Sequence, residues 1–299
     1  MKGKMLAFFV IPFVLLTACD KNDDEDENMN MEDSITLNFE NLAPSADDEK
    51  YEGWIITNDG PFSTGKFTVD ASGNLSQTTF RVAPEKLEMA TDFVLTVEPV
   101  PDDNSGPSDI KILGGAFSGS EATLSVSHGA ALGSDFGSVN GQYILATPTT
   151  STTDDELSGV WWLDPSGDMP EATLNLPQLP SGWTYEGWAV VDGMPVSTGT
   201  FDMVDRADNS APYSGSDGSG PPFPGEDLVM SAPDGLSFPT DLSGTKMVIS
   251  IEPNPDNSPK PFALKPLAGN VPMDASDHNV YDMMSNVANS FPTGMAMKE

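Results

Sequence analysis

The chain has 299 residues, with 13 lysines and arginines against 46 aspartates and glutamates, for a formal net charge of −33. That balance excludes nucleic acid and other partners held through phosphate contacts, and it disfavours docking on an anionic lipid face. With 27 glycines, 26 prolines and few long helical patterns, the composition points to an all-β protein rich in turns and long enough for two domains.

Lys2 and Lys4 precede an apolar run over residues 5–16, long enough for the core of a signal peptide and short of the ~20 residues a membrane-spanning helix needs. Leu16-Thr17-Ala18-Cys19 resembles the lipobox of bacterial lipoproteins. The resemblance implies a signal peptide over residues 1–18 and lipidation of Cys19, the only cysteine, with palmitate-type chains as the membrane anchor. At ~0.8 kcal/mol per buried CH2, several acyl chains hold a protein to a membrane without spanning it. Residues 19–34 form an acidic tether that extends by self-repulsion, about fifteen residues reaching at most ~50 Å. Lys21 followed by Asp23, Asp24 and Glu25 resembles the export signal that places lipoproteins on the outer surface of the cell outer membrane in Bacteroidota. Asn22 departs from that pattern, so the periplasmic leaflet stands as the alternative.

Next comes a strand, Ile35-Thr36-Leu37-Asn38-Phe39, and then Tyr51-Glu52-Gly53-Trp54, which recurs as Tyr185-Glu186-Gly187-Trp188. Over residues 51–67 against 185–201, nine of seventeen positions are identical, so the chain is a tandem repeat. Both faces of the Tyr-Glu-Gly-Trp strand carry apolar bulk, which predicts a central strand. Asn58-Asp59-Gly60 and Asp192-Gly193 supply hairpin turns, and Gly65 and Gly199 in Ser-Thr-Gly-x-Phe mark bulges. Phe93 to Glu98 and Met247 to Glu252 are matching strands that each end at a proline, Pro99 or Pro253. Repeat 1 is expected over residues 35–146, closing with a strand at 141–146, followed by a linker over 147–159. Repeat 2 is expected over 160–299, opening near Val160-Trp161-Trp162-Leu163, with Ala172-Thr173-Leu174-Asn175-Leu176 matching the first strand of repeat 1.

The offset between copies grows from 134 at the first motif to 154 at the Glu-Pro motif, which places about twenty extra residues in an exposed loop over 202–227. Near the C-terminus Val280, Met283, Met284 and Val287 fall at helical spacing, predicting one short amphipathic helix stopped by Pro292. The fold class expected is two tandem β-sandwich, Ig-like repeats with a short C-terminal helix.

The repeated pattern, Tyr51, Trp54, Gly65, Phe67, Thr96, Glu98 and Pro99, then Tyr185, Trp188, Gly199, Phe201, Glu252, Pro253, Ser258 and Pro259, resembles the extracytoplasmic C-terminal domain of anti-sigma-K-type factors. What the resemblance implies is a β-sandwich module used twice. That family carries a sigma-binding segment and a membrane helix ahead of this domain, and neither is read here, so anti-sigma activity is not implied.

Glu98 and Glu252 are the most tempting catalytic carboxylates, but they lie in different repeats, whereas an acid/base pair must share one site. Both, like the rest of the repeated motif, are read as structural, satisfying backbone donors at strand ends. His128 and His278 belong to no metal-hydrolase or triad pattern and are expected in structural hydrogen bonds. Asp202, Asp205, Asp208, Asp217, Glu226 and Asp227 crowd the insertion. Hard oxygen ligands on a loop suit calcium, and Asp205, Asp208 and Asp217 are the candidates; solvation of a saline-habitat surface is the alternative. Trp161, Trp162, Trp183 and Trp188 are expected in the core rather than as a stacking platform for sugars.

The function this predicts is a lipid-anchored, surface-displayed, non-enzymatic binding or sensing module whose partner is a protein or a glycan. A carbohydrate-active enzyme or its accessory subunit is one alternative, and a structural envelope spacer is another.

Overall fold

Strand-forming, turn-punctuated sequence becomes an almost wholly β structure. The computed structural model describes residues 33–256 and 258–299. The signal peptide, Cys19 and nearly all of the tether lie outside the described residues. Among those described, no helix is long and apolar enough to cross a membrane.

In chain order the first part runs β1 (Asp33–Glu40), β2 (Glu49–Thr57), β3 (Gly60–Phe67), β4 (Thr79–Val82), helix α1 (Pro84–Met89), β5 (Asp92–Pro99), β6 (Lys111–Ser118) and β7 (Glu121–Leu124). Then come β8 (Gly141–Leu145), β9 (Gly159–Trp161), β10 (Leu163–Asp164), β11 (Glu171–Ala172), β12 (Trp183–Val191), β13 (Met194–Phe201) and β14 (Gly225–Asp227). The chain finishes with β15 (Lys246–Pro253), β16 (Leu267–Asn270), β17 (Tyr281–Ser285), helix α2 (Val287–Ser290) and β18 (Thr293–Lys298).

Two eight-stranded antiparallel sheets result, in the orders β3-β2-β5-β6-β7-β18-β1-β4 and β13-β12-β15-β16-β17-β8-β9-β14, with β10 and β11 forming a small separate hairpin. The two orders are the same arrangement written twice. In the first, the end strands approach each other: Phe67 on β3 and Phe80 on β4 have ring centroids 5.9 Å apart. One continuous buried cluster draws on both halves, with Ile35, Phe93, Leu113, Leu145, Ile249 and Leu267 all fully buried. Each such side chain contributes roughly 1.5–3 kcal/mol by leaving water.

The repeated motif explains the central strands. Tyr51 stacks on Phe67 and Tyr185 on Phe201, each pair at 5.7 Å. Burying these phenols requires acceptors, and each reaches back eight residues to a carbonyl, Tyr51 to Ala43 at 2.9 Å and Tyr185 to Pro177 at 2.6 Å. The β2–β3 register slips by one residue beside Gly53 and Trp54, where Gly65 has φ +133°; β12–β13 slips likewise, with Gly199 at φ +108°. The bulges expected at Gly65 and Gly199 are therefore present.

Several expectations are corrected. The strand at 141–146 does not close the first repeat: β8 lies between β17 and β9 in the second sheet. Its counterpart in the first sheet is β18, paired with β1 and β7. The division expected at residue 146 thus moves ahead of residue 141, and residues 293–298, assigned to repeat 2, complete the first sheet. Strand partners this distant leave no mark on local periodicity. The counterpart of β1 in the second sheet is β9, not residues 172–176, of which only Ala172 lies in a strand.

The helix expected over Val280, Met283, Met284 and Val287 is mostly β17, on which Met283 is buried while Met284 is 70% exposed. Pairing with β8 and β16 decides against the helical period there; the short helix that does form is α2, one turn later. Nor is the insertion wholly exposed. Its last residues form β14, fully buried, and the expected linker is fastened to it at Thr149, which is 3% exposed and donates to Asp227, while residues 151–154 stay exposed.

Candidate functional site

The repeated motif builds one buried carboxylate cluster in each half. In the first, Trp54 Nε1 donates to Thr96 Oγ1 at 2.9 Å, and that hydroxyl donates to Glu98 Oε1. The Ser108 amide donates to the same oxygen at 2.9 Å. Across the β2–β5 pair, Glu52 accepts from the Ser63 hydroxyl, and Asp102, on the loop after β5, accepts from the Asn104 amide at 2.9 Å. The second half reproduces every part. Trp188 Nε1 donates to Ser250 Oγ at 2.7 Å, Ser250 donates to Glu252, and the Phe262 amide donates to Glu252 Oε1 at 2.8 Å. Glu186 accepts from the Ser197 hydroxyl and Asp256 from the Ser258 amide at 2.8 Å. Each loop toward the aspartate begins with a cis peptide, Val100-Pro101 or Asn254-Pro255.

Glu52, Glu98 and Asp102, and Glu186, Glu252 and Asp256, each bring carboxylate oxygens within 4.8 Å of one another; among the described residues these are the acidic or histidine groups of three close enough to share an ion. At an effective dielectric of ~20, two unit charges 4.8 Å apart repel by about 3.5 kcal/mol. A cluster of three needs a cation or a proton.

The halves meet that need differently. In the first, Lys66 Nζ lies 2.6 Å from Asp102 Oδ2 and 3.5 Å from Glu52 Oε2. The pairing holds Asp102 below the ordinary carboxylate range and raises Lys66. Register places Thr200 opposite Glu186 where Lys66 stands opposite Glu52. With no ammonium there, burial, offset in part by the Ser197 hydroxyl and reinforced by Glu252 and Asp256, pushes Glu186 up to about 8. Burial likewise pushes Glu252 up to about 7 against the pull of its Ser250 and Phe262 donors. A groove of about 360 Å3, lined by Glu186, Ser197, Tyr213 and Ser258, adjoins this second cluster.

The insertion builds a separate cleft of about 450 Å3, lined by Thr149, Trp161, Asp208, Asn209, Ser214 and Phe223. Asp208 Oδ2 accepts from the Gly225 amide at 2.9 Å, and burial lifts its carboxyl to about 6. Beneath the cleft Asp227 accepts from the Thr149 amide and from Trp161 Nε1, both at 2.8 Å.

Of the residues singled out from sequence, Asp205, Asp208 and Asp217 are not brought together as a group. Asp205 lies 3.9 Å from the Arg206 guanidinium, and Asp217 accepts from Ser151 at 2.8 Å on the surface. Trp161, Trp162, Trp183 and Trp188 are all at most 5% exposed. His128 faces Asp92 at 3.3 Å and His278 faces Asp277 at 2.9 Å. Glu98 and Glu252 do take backbone donors, as expected, yet each also has acidic partners within its own half. Glu52, Asp102, Glu186 and Asp256 were the residues missed. Their signal was recurrence at the motif offsets of 134 and 154, together with a lysine in one copy where the other has threonine.

Comparison with protein-family models, with curated proteins and with solved structures finds no match for this chain.

Proposed function

We propose that this protein is a lipid-anchored, surface-displayed binding or sensing module without catalytic activity, and that its ligand, a protein or a glycan, enters the insertion-built cleft. One observation carries the reading. On a scaffold otherwise written twice, residues 202–227 give the second half alone a cleft of about 450 Å3 with an apolar floor and the Asp208 carboxylate at its wall. Small-molecule and peptide sites have this character. We read each curled sheet as an Ig-like sandwich, β3-β2-β5-β6 facing β7-β18-β1-β4 in the first half, a rigid support for loops that bind.

The test joins anchoring to binding. Cys19→Ala should release the protein from the membrane fraction and abolish palmitate labelling, and protease added to intact cells should remove the wild type; full protection would place it in the periplasmic leaflet. Thermal melts against glycan and protein panels should show a ligand-dependent rise that Ser210→Arg, at the exposed mouth, removes. Ligand shifts that survive that variant would move the site elsewhere.

The paired acids beside a groove favour a second reading, a carbohydrate-active enzyme using Glu186 and Glu252. Against it, Glu252 is fully buried and already bound by hydroxyl and amide donors, which leaves it no approach to a sugar ring or an attacking water. Glycan hydrolysis lost in both Glu186→Gln and Glu252→Gln would restore it.

A further inference from the structure

We propose that Glu186, Glu252 and Asp256 form a calcium site, and that Lys66 is the cation's built-in substitute in the first half. The first half shows what such a triad requires, since Lys66 sits against Glu52 and Asp102. At the matching position Thr200 offers only a hydroxyl, which accepts from Asn209. Lys265 does not fill the gap: its ammonium donates to the Phe262 carbonyl at 2.6 Å, as Lys111 donates to Ser108 at 2.9 Å in the first half. Lys260 is exposed on the rim of the adjoining groove.

A second, independent observation comes from Glu186 itself. Its side chain lies within the triad, the residue is 4% exposed, and its Oε2 has no hydrogen-bond partner among the described residues. A buried carboxylate oxygen so placed calls for a ligand.

The donors are all oxygen, which selects a hard cation, and they come from β12, β15 and the loop after β15. Calcium accepts six to eight oxygens in loose geometry, whereas magnesium demands a tight octahedron and dehydrates reluctantly. Waters in the groove beside Glu186 would complete the shell. Once all three carboxylates ionise around the ion, Lys265 near Glu252 leaves two negative charges, which one divalent cation balances. The three carboxylates lie outside the insertion, and the cleft's ligand plays no part in holding the ion, so this site and the cleft reading can fail independently.

The test is a calorimetric calcium titration of the EDTA-stripped protein, alongside terbium luminescence excited through Trp188, which is two hydrogen bonds from the Glu252 carboxylate. The expected result is about one ion per chain at millimolar calcium or below. Glu186→Gln, nearly isosteric, should weaken binding by about tenfold or more, and Thr200→Lys should abolish it by copying the first half. Lys66→Thr should raise the count to about two. Melts of each variant in EDTA establish that it is folded, and if Thr200→Lys fails that control, Glu186→Gln decides. Absence of binding by the wild type, or binding untouched by Glu186→Gln and Thr200→Lys, overturns the assignment and leaves a shared proton as what holds the three carboxylates together.

Discussion

Gly187 shows why the repeated motif tolerates nothing larger at its third position. A Cβ there would lie 2.3 Å from Thr198 Oγ1 and 2.4 Å from Trp162 Cη2, inside a full core. Gly187→Ala is expected to cost roughly 1–3 kcal/mol, read as a lowered urea midpoint with unchanged slope. Glu226 supports a second prediction at this scale. It is fully buried on β14, its Oε1 accepts from Ser214, its Oε2 lacks a partner among the described residues, and burial lifts it to about 7. An unfolded glutamate ionises near 4.5. Between that value and about 7 the folded chain keeps a proton that the unfolded chain loses, so stability is fullest below the window and falls as pH rises through it. The shift amounts to at most roughly 3 kcal/mol. Asp208, at about 6, adds in the same direction over a narrower range. Urea midpoints measured from about pH 5 to 8 should decline in the wild type and decline less in Glu226→Gln. Equal slopes would show that Glu226 ionises freely in the fold.

Among the elements, β14 owes its place to the segment that precedes β9. Asp227 takes donors from the Thr149 amide and hydroxyl, and that hydroxyl in turn accepts from the Gly215 amide at 2.7 Å. Thr149→Val keeps the shape but strips a donor from a fully buried carboxylate, and should cost about 1–3 kcal/mol. Ser151→Ala, which removes only a surface contact to Asp217, should stay within about 0.5 kcal/mol, so a chemical-denaturation pair distinguishes fastening from surface decoration. None of this was legible along the chain, because Thr149 and Asp227 are 78 residues apart and each sits in turn-rich sequence. What was legible is what neighbours dictate. The Tyr-Glu-Gly-Trp strand and its hairpin show in their turn residues, and the Glu-Pro strand shows in its apolar run and terminal proline. The stripe from Val280 to Val287 shows the opposite case, since the five-residue strand within it is too short for its own alternation to outweigh the helical spacing and only pairing with β8 and β16 decides. The acidic triads were half legible: each glutamate was visible in both copies, but the contact between Glu186 and Glu252 exists only once β12 lies beside β15.

At the scale of the molecule, the first sheet is assembled from both ends of the described chain while the second is continuous from β8 to β17. The Ser34 amide donates to the Glu299 carbonyl at 3.2 Å and the Glu299 amide returns the bond at 2.8 Å, so the last strand fastens the first. Removing residues 293–299 would leave β1 and β7 with unpaired ladders facing each other and would withdraw Ala296, which is fully buried. Hydrogen exchange on that truncation should show protection lost in β1, β4 and β7 and kept in β12 and β15, whose partners are all intact. A synthetic peptide covering residues 293–299, which restores the ladder to both β1 and β7, should bring the protection back in trans by strand addition. Uniform loss across both sheets would mean that the shared core folds as one cooperative unit. Retained protection in β1 would mean that β18 is an accessory rather than the closing strand. The same reasoning predicts that residues 35–146 expressed alone will not fold, because that fragment ends in β8, a strand belonging to a sheet it lacks, and omits β18, the strand its own sheet requires.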